Sequence, residues 1–202
     1  MIYLNYSEIP TRNISTVELE GIFREVSYLD SVSERKNDGS KKESLAALLL
    51  LAEVFKEMGI DASAISIIKD ANGRPFLKGN KEIDLSLSHS DRFVACAVST
   101  VGRVGVDIEK VPDNDRYERI GGRFLSDAER GIAKNAEDFA RVWTRKEAYY
   151  KFIGKGSLAE VDSERAEEGN VESYAVEGEY FISVCFEKSE NICKTPQKIT
   201  IK

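Results

Sequence analysis

The sequence predicts an α+β protein built from two similar halves that meet near residue 100, and three observations carry that expectation. One long helical pattern, at 40–58, is followed by short β-like runs. After residue 100 a similar order returns, with a strand, helical stretches and two further strands. The chain has 202 residues, 42% of them hydrophobic and 32% charged, enough to bury a core without disulfides. Each half is expected to pack a small antiparallel sheet against its long helix, with residues 1–100 forming one subdomain and 101–202 the other. No residue-level repeat accompanies this order.

The elements follow from spacing. Leu45, Leu48, Leu49, Ala52 and Phe55 recur every three or four residues, Glu43 stands early, and Gly59 stops the helix. The runs 64–69, 83–87 and 93–99 read as strands, with Asn72-Gly73 and His89-Ser90-Asp91 as turns. In the second half a strand is expected at 103–108, helices around 127–135 and 137–152, and strands near 171–176 and 180–187. The acidic stretch 160–172 reads as a solvated, partly mobile loop.

Composition excludes several classes. A formal charge of −6 argues against general nucleic-acid affinity, which needs a basic surface. Cys96, Cys185 and Cys193 form no C-x-x-C pair, and the reading is a reduced, cytoplasmic protein. The first residues lack a basic, apolar export signal, and the longest apolar run, 45–52, is too short to span a bilayer, so no membrane role is expected. Two local basic patches remain, Arg35, Lys36, Lys41 and Lys42 in one, Arg145, Lys146, Lys151 and Lys155 in the other. For each, the plainer alternative is a solvated face.

Chemistry concentrates in Gly105-Val106-Asp107-Ile108-Glu109 and in the stretch from Trp143 to Gly156. On a strand, Asp107 and Glu109 project from one face and Ile108 from the other. Glu147 can join them only through the tertiary fold. Three clustered carboxylates stay ionised at neutral pH only with a compensating cation, and oxygen-only ligands favour Mg²⁺ or Mn²⁺. Trp143 would anchor the helix while Glu147 faces a cleft; a core tryptophan with a surface Glu147–Lys151 pair is the plainer alternative. Gly154-Lys155-Gly156 lets backbone N–H groups and a lysine approach an anion. The single histidine, His89, fits a phosphate donor and an ordinary turn residue equally. No G-x-S-x-G, Walker loop or G-x-G-x-x-G fingerprint occurs.

Five motifs stand in order: Gly-Arg-Pro at 73–75, Leu-Ser-His-Ser at 87–90, Gly-Val-Asp-Ile-Glu at 105–109, Arg-Phe-Leu-Ser-x-x-Glu at 123–129, and Trp-x-x-Lys-Glu-Ala with Lys-x-x-Gly-Lys-Gly at 143–156. Together they resemble the phosphopantetheinyl transferase superfamily, in its longer surfactin-synthetase-activator type, where two similar halves form a monomeric pseudo-dimer. The resemblance implies that Asp107, Glu109 and Glu147 hold Mg²⁺ against the diphosphate of coenzyme A, with the metal site in the second half. It implies that Glu147 helps deprotonate the attacking serine and that Lys151 stands near the diphosphate and leaving group. Arg74, Ser88 and His89 match phosphate-binding positions, with Lys146 and Lys155 as supporting cations. Arg35, Lys36 and Lys41 fall in the region that contacts the adenosine portion, in a segment shorter and more polar than usual. After Gly156, Ser157-Leu158-Ala159-Glu160 departs from the common Leu-Ser pattern.

The activity so implied is transfer of phosphopantetheine from coenzyme A to a serine of an acyl or peptidyl carrier protein, with release of adenosine 3',5'-bisphosphate. Such carriers serve fatty acid, polyketide or nonribosomal peptide biosynthesis, and docking to an acidic carrier is expected to be salt-sensitive. Two other classes stay open: a non-catalytic coenzyme A or carrier-binding module of the same fold, and a Mg²⁺-dependent phosphohydrolase of small nucleotides.

Overall fold

The structure, a computed structural model, describes residues 1–113, 116–166, 169–187 and 195–201. Cys193 and the acidic residues at 167 and 168 lie outside that set. In chain order the elements are β1 (Ile2–Glu8), α1 (Thr16–Ile22), β2 (Glu25–Val26), α2 (Leu29–Ser33), α3 (Asp38–Glu57), β3 (Ser66–Lys69), β4 (Pro75–Leu77), β5 (Asp84–Ser90), β6 (Phe93–Ser99) and β7 (Val104–Lys110). There follow α4 (Arg116–Phe124), α5 (Asp127–Ile132), α6 (Ala136–Ile153), β8 (Gly169–Val176), β9 (Tyr180–Glu187) and β10 (Gln197–Lys198). No described helix is long and apolar enough to cross a membrane.

The fold is α+β. One sheet has the order β10-β1-β6-β5, a second β7-β9-β8, and a small third β2-β3-β4. In the first two, β1-β6-β5 and β7-β9-β8 are antiparallel, and β10 adds to β1 in parallel. Alternation along the strands builds four layers. On β6, Val94, Cys96 and Val98 face the Leu-rich side of α3, while Phe93, Ala95 and Ala97 face the other sheet. There they meet Val104, Val106 and Ile108 of β7 and Tyr180, Ile182, Val184 and Phe186 of β9. The far side of the second sheet carries α6, with Ala148, Tyr149 and Phe152 packed on Cys185. The order is therefore α3, sheet, sheet, α6.

Local signals set the ends. The Asn37 side chain accepts from the Ser40 N–H, so α3 begins two residues before the expected start. Asn135 caps α6 in the same way, and Gly154, left-handed at φ 67°, ends it. Two expectations are corrected. His89 and Ser90 belong to β5 rather than to a turn, because their alternation continues to the two-residue reversal at Asp91-Arg92, where Asp91 has φ 52°. The stretch 160–172 is not one solvated loop: Val161 and Ser163 are buried, a 3₁₀ turn spans Ser163–Arg165, and β8 begins at Gly169. The reason is tertiary, since Glu129, itself fully buried, accepts from Ser163 N–H and Oγ–H, each at 3.0 Å. Beyond the predicted elements stand β1, β2 and β4, the short helices α1, α2 and α4, and β10; the alternation of Ile2, Leu4 and Tyr6 is the signal for β1.

Candidate active site

The Gly-Val-Asp-Ile-Glu segment lies in β7, between the first sheet and α6. Val106 and Ile108 face the inter-sheet core, which turns Gly105, Asp107 and Glu109 toward α6. Gly105 is required by that approach: a Cβ there would collide with the Ala148 carbonyl oxygen and the Phe152 nitrogen of α6. The helix therefore lies directly on the strand. Thr144 Oγ1, 2.8 Å from Ser183 Oγ, helps seat it on β9.

Lys151 Nζ donates to Asp107 Oδ1 at 2.7 Å, to Ser88 Oγ at 3.0 Å and to the Val106 carbonyl at 3.1 Å. Ser88 Oγ in turn donates to Asp107 Oδ1 at 2.6 Å. Glu109 accepts from Ser90 Oγ at 2.7 Å. Burial, and next the charge of Asp107, push the Glu109 carboxyl up to about 7; the same two causes push Glu147 up to about 7. Burial disfavours the Lys151 ammonium, but Asp107, Glu147 and Glu109 outweigh it and raise its pKa. Asp107, Glu109, Glu147, Lys151 and Ser88 are thus one electrostatic unit.

The unit fits a divalent cation in charge and donor type. Asp107 Oδ2 is buried with no hydrogen-bond partner among the described residues, and the neighbouring donors are carboxylate oxygens, the set that suits Mg²⁺ or Mn²⁺. Among the described residues no three metal-binding side chains already converge on one point; Lys151 is the resident cation on Asp107.

Two clefts adjoin the unit, one at Lys151 and one at Glu109. One, about 260 Å³, is walled by Arg74, Leu87, Tyr150, Lys151 and the 154–156 loop with Lys155. The other, about 310 Å³, is walled by Ser90, Glu109, Tyr117, Phe139 and Trp143. Trp143 stacks on Phe139 at 5.7 Å and meets Phe124 edge-on at 5.9 Å. The tryptophan therefore anchors the helix and lines a cleft.

The remaining sequence-predicted residues divide. His89 is 40% exposed, with Nδ1 3.3 Å from Glu43 Oε2; partial desolvation lowers its pKa, Glu43 opposes and Lys151 reinforces the shift. Arg35 lies close enough to act on His89, and its guanidinium donates to Ser44 Oγ at 2.6 Å. Lys36 is exposed, and Lys41 pairs locally with Asp38 at 3.6 Å. Arg74 lines the first cleft, but its guanidinium is held by Asp84 at 2.5 Å and by the Val104 carbonyl at 2.8 Å.

Lys146 is the correction. Its side chain is 0% exposed, its ammonium 2.9 Å from Glu129 Oε2 and bonded to the Val161 carbonyl. A cation so enclosed cannot meet a phosphate from solvent. Consecutive helix residues diverge by about 100°, which sends Lys146 into the core and leaves Glu147 half-buried, within reach of the charges of Asp107 and Lys151. Glu129, last of the Arg-Phe-Leu-Ser-x-x-Glu motif, completes a capping box with Ser126 and accepts this lysine. Its role is to tie α5, α6 and the 161–165 segment together. Asp84 and Ser86, missed by motif reading, were visible as the continuation of the Ser88 and Ser90 positions, a polar residue at every second position of β5.

A four-layer α+β protein with a partly buried lysine–carboxylate unit adjoining two clefts is the class that fold and site define. A family model of the 4'-phosphopantetheinyl transferase superfamily matches residues 103–201. The chain is 33% identical over 125 residues to 4'-phosphopantetheinyl transferase gsp of Aneurinibacillus migulanus, covering 59% of this chain and 51% of that protein. It is 30% identical over 144 residues to 4'-phosphopantetheinyl transferase AcpT of Salmonella typhi, covering 66% and 71%. To 4'-phosphopantetheinyl transferase Sfp of Bacillus subtilis (strain 168) it is 29% identical over 125 residues, covering 59% and 54%. The match spans about half the length of the gsp and Sfp proteins. The chain belongs to the 4'-phosphopantetheinyl transferase superfamily.

Proposed function

We propose that this chain transfers the phosphopantetheine group of coenzyme A to a serine hydroxyl of an acyl or peptidyl carrier protein, dependent on Mg²⁺, releasing adenosine 3',5'-bisphosphate. The observation that carries the reading is the Asp107–Lys151–Ser88 unit flanked by Glu109 and Glu147 and opening on two clefts. The relatives' names support the same reaction class. Asp107, Glu109 and Glu147 would hold the Mg²⁺, which when bound supplies charge neutralisation at the diphosphate.

The cleft with Lys151 and Lys155 suits the phosphates of coenzyme A, and the aromatic cleft beside Glu109 suits the approach of the carrier serine. Glu147 accepts the serine proton as the new O–P bond forms. The diphosphate P–O bond breaks on the side of the adenosine bisphosphate. Lys151 stays an ammonium beside that bond and stabilises the charge that the leaving phosphate gains.

The test is intact-protein mass spectrometry of apo carrier proteins incubated with the chain, coenzyme A and Mg²⁺, with an EDTA arm. A phosphopantetheine-sized gain that EDTA removes is expected, and Asp107→Ala should abolish it while the fold persists. Coenzyme A binding without any gain on a broad carrier panel would assign the chain to binding instead of catalysis. Normal transfer by Asp107→Ala would remove the metal assignment.

A further inference from the structure

Strands β5 and β7 are facing edges of two different sheets, and among the described residues no backbone ladder joins them. Side chains from alternate positions of β5 span the gap. Asp84 Oδ2 accepts from the Val104 N–H at 2.8 Å, and Ser86 Oγ accepts from the Val106 N–H at 3.0 Å. Further along, the contacts pass from backbone to carboxylate. Ser88 Oγ donates to Asp107 Oδ1 at 2.6 Å and Ser90 Oγ to Glu109 Oε2 at 2.7 Å. The period is two, so these four side chains share one face of β5 while Leu85 and Leu87 pack toward α3.

Ser90 is the rung with no role so far. Its oxygen also accepts from the Lys110 N–H at 3.3 Å, and a hydroxyl accepting on one side has its proton free to aim at Glu109. Glu109 lines the aromatic cleft and is reached there by no other hydrogen-bonding side chain among the contacts described above. Released from Ser90, the carboxylate would regain rotamer freedom that has to be given up again on binding a ligand.

We propose that Ser90 is a positioning residue: from the first sheet it holds the Glu109 carboxylate of the second in the orientation that receives a divalent cation. The inference rests on the metal reading given above. Partners that orient a metal's ligands tune its binding, and their loss costs about 10–100-fold in affinity or activity. A purely structural serine would leave that affinity alone.

The experiment is Mn²⁺ binding followed by the electron paramagnetic resonance of the free ion, for wild type, Ser90→Ala and Ser90→Thr, with circular dichroism confirming each fold. Ser90→Ala should bind Mn²⁺ about tenfold more weakly, and Ser90→Thr, which keeps the hydroxyl, should stay near wild type. In transfer assays the Mg²⁺ concentration for half-maximal rate should rise in Ser90→Ala while the rate at saturating Mg²⁺ is largely kept. Ser90→Cys replaces the alanine variant if that one does not fold. Equal Mn²⁺ affinity in wild type and Ser90→Ala overturns the proposal, as does an equal loss in the alanine and threonine variants. If the wild type binds Mn²⁺ but transfers nothing, the transfer reading fails while the Ser90 comparison still decides this one; no Mn²⁺ binding at all overturns both metal assignments.

Discussion

Lys146 and Glu147 are neighbours in sequence with opposite surroundings, and the difference is a statement about charge. Lys146 is enclosed with Glu129, so each burial is compensated by the other. Glu147 is enclosed beside like charge, and burial followed by Asp107 holds its carboxyl up to about 7 against an ordinary 4.5. The sign follows from linkage: an acid whose folded pKa exceeds its unfolded value stabilises the fold fully below the unfolded pKa, and the contribution is lost as pH rises through the folded pKa. In EDTA, the wild type should therefore lose melting temperature between about pH 5 and pH 8 more steeply than Glu147→Gln, whose amide does not ionise. Mg²⁺ at the upper end should restore the wild type more than the variant. Thermal melts of both proteins across that range check this, and parallel slopes would remove Glu147 as the source of the tension.

Strand β7 and helix α6 form a single working part, since the strand supplies Asp107 and Glu109, the helix Glu147 and Lys151, and Gly105 sets the distance between them. Gly105→Ala should cost roughly 1–3 kcal/mol by overpacking and should reduce transfer beyond what that destabilisation explains, because the methyl pushes Lys151 away from Asp107. Equilibrium unfolding with transfer rates at low temperature tests it; full activity in a destabilised variant would mean that the spacing is not critical. The elements that read well from sequence are those with a period: the Leu45 to Phe55 stripe gave α3, and the two-residue step of Val104, Val106 and Ile108 put Asp107 and Glu109 on one face. Which lysine serves the site was not legible. Lys146 and Lys151 stand in the same basic run, and only the burial of Glu129, 17 positions upstream of Lys146, decides that one of them is structural. The charge run at 160–172 misled for the same reason, since Glu164 pairs with Arg145 at 3.0 Å and Ser163 with Glu129, partners distant in sequence.

At the scale of the whole molecule the two halves share a core, and neither sheet is covered without the other. Ile2, Leu4, Tyr6, Phe93, Ala95 and Ala97 would face water if the second sheet left, as would Val104, Val106, Ile108, Tyr180, Ile182, Val184 and Phe186 if the first did. Bonds cross in both directions: Arg74 donates to the Val104 carbonyl, Asn72 to the Gly154 carbonyl at 3.1 Å and Tyr6 to Glu177 at 3.0 Å, while Lys151 donates back to Ser88 at 3.0 Å. β10, at the far end of the chain, lies beside β1. Folding should therefore proceed as one unit, because separating the halves would expose two apolar faces at once. The expectation is a single urea transition at one midpoint for Trp143 fluorescence, which reports the second half, and for labelling of Cys96, buried in the first. Peptide mass mapping separates Cys96 from Cys185, buried beneath α6 in the second half. Labelling of Cys96 at urea concentrations where Trp143 remains native would show that the first half opens alone, and the inter-sheet core would then be too weak to couple β5 to the carboxylates of β7.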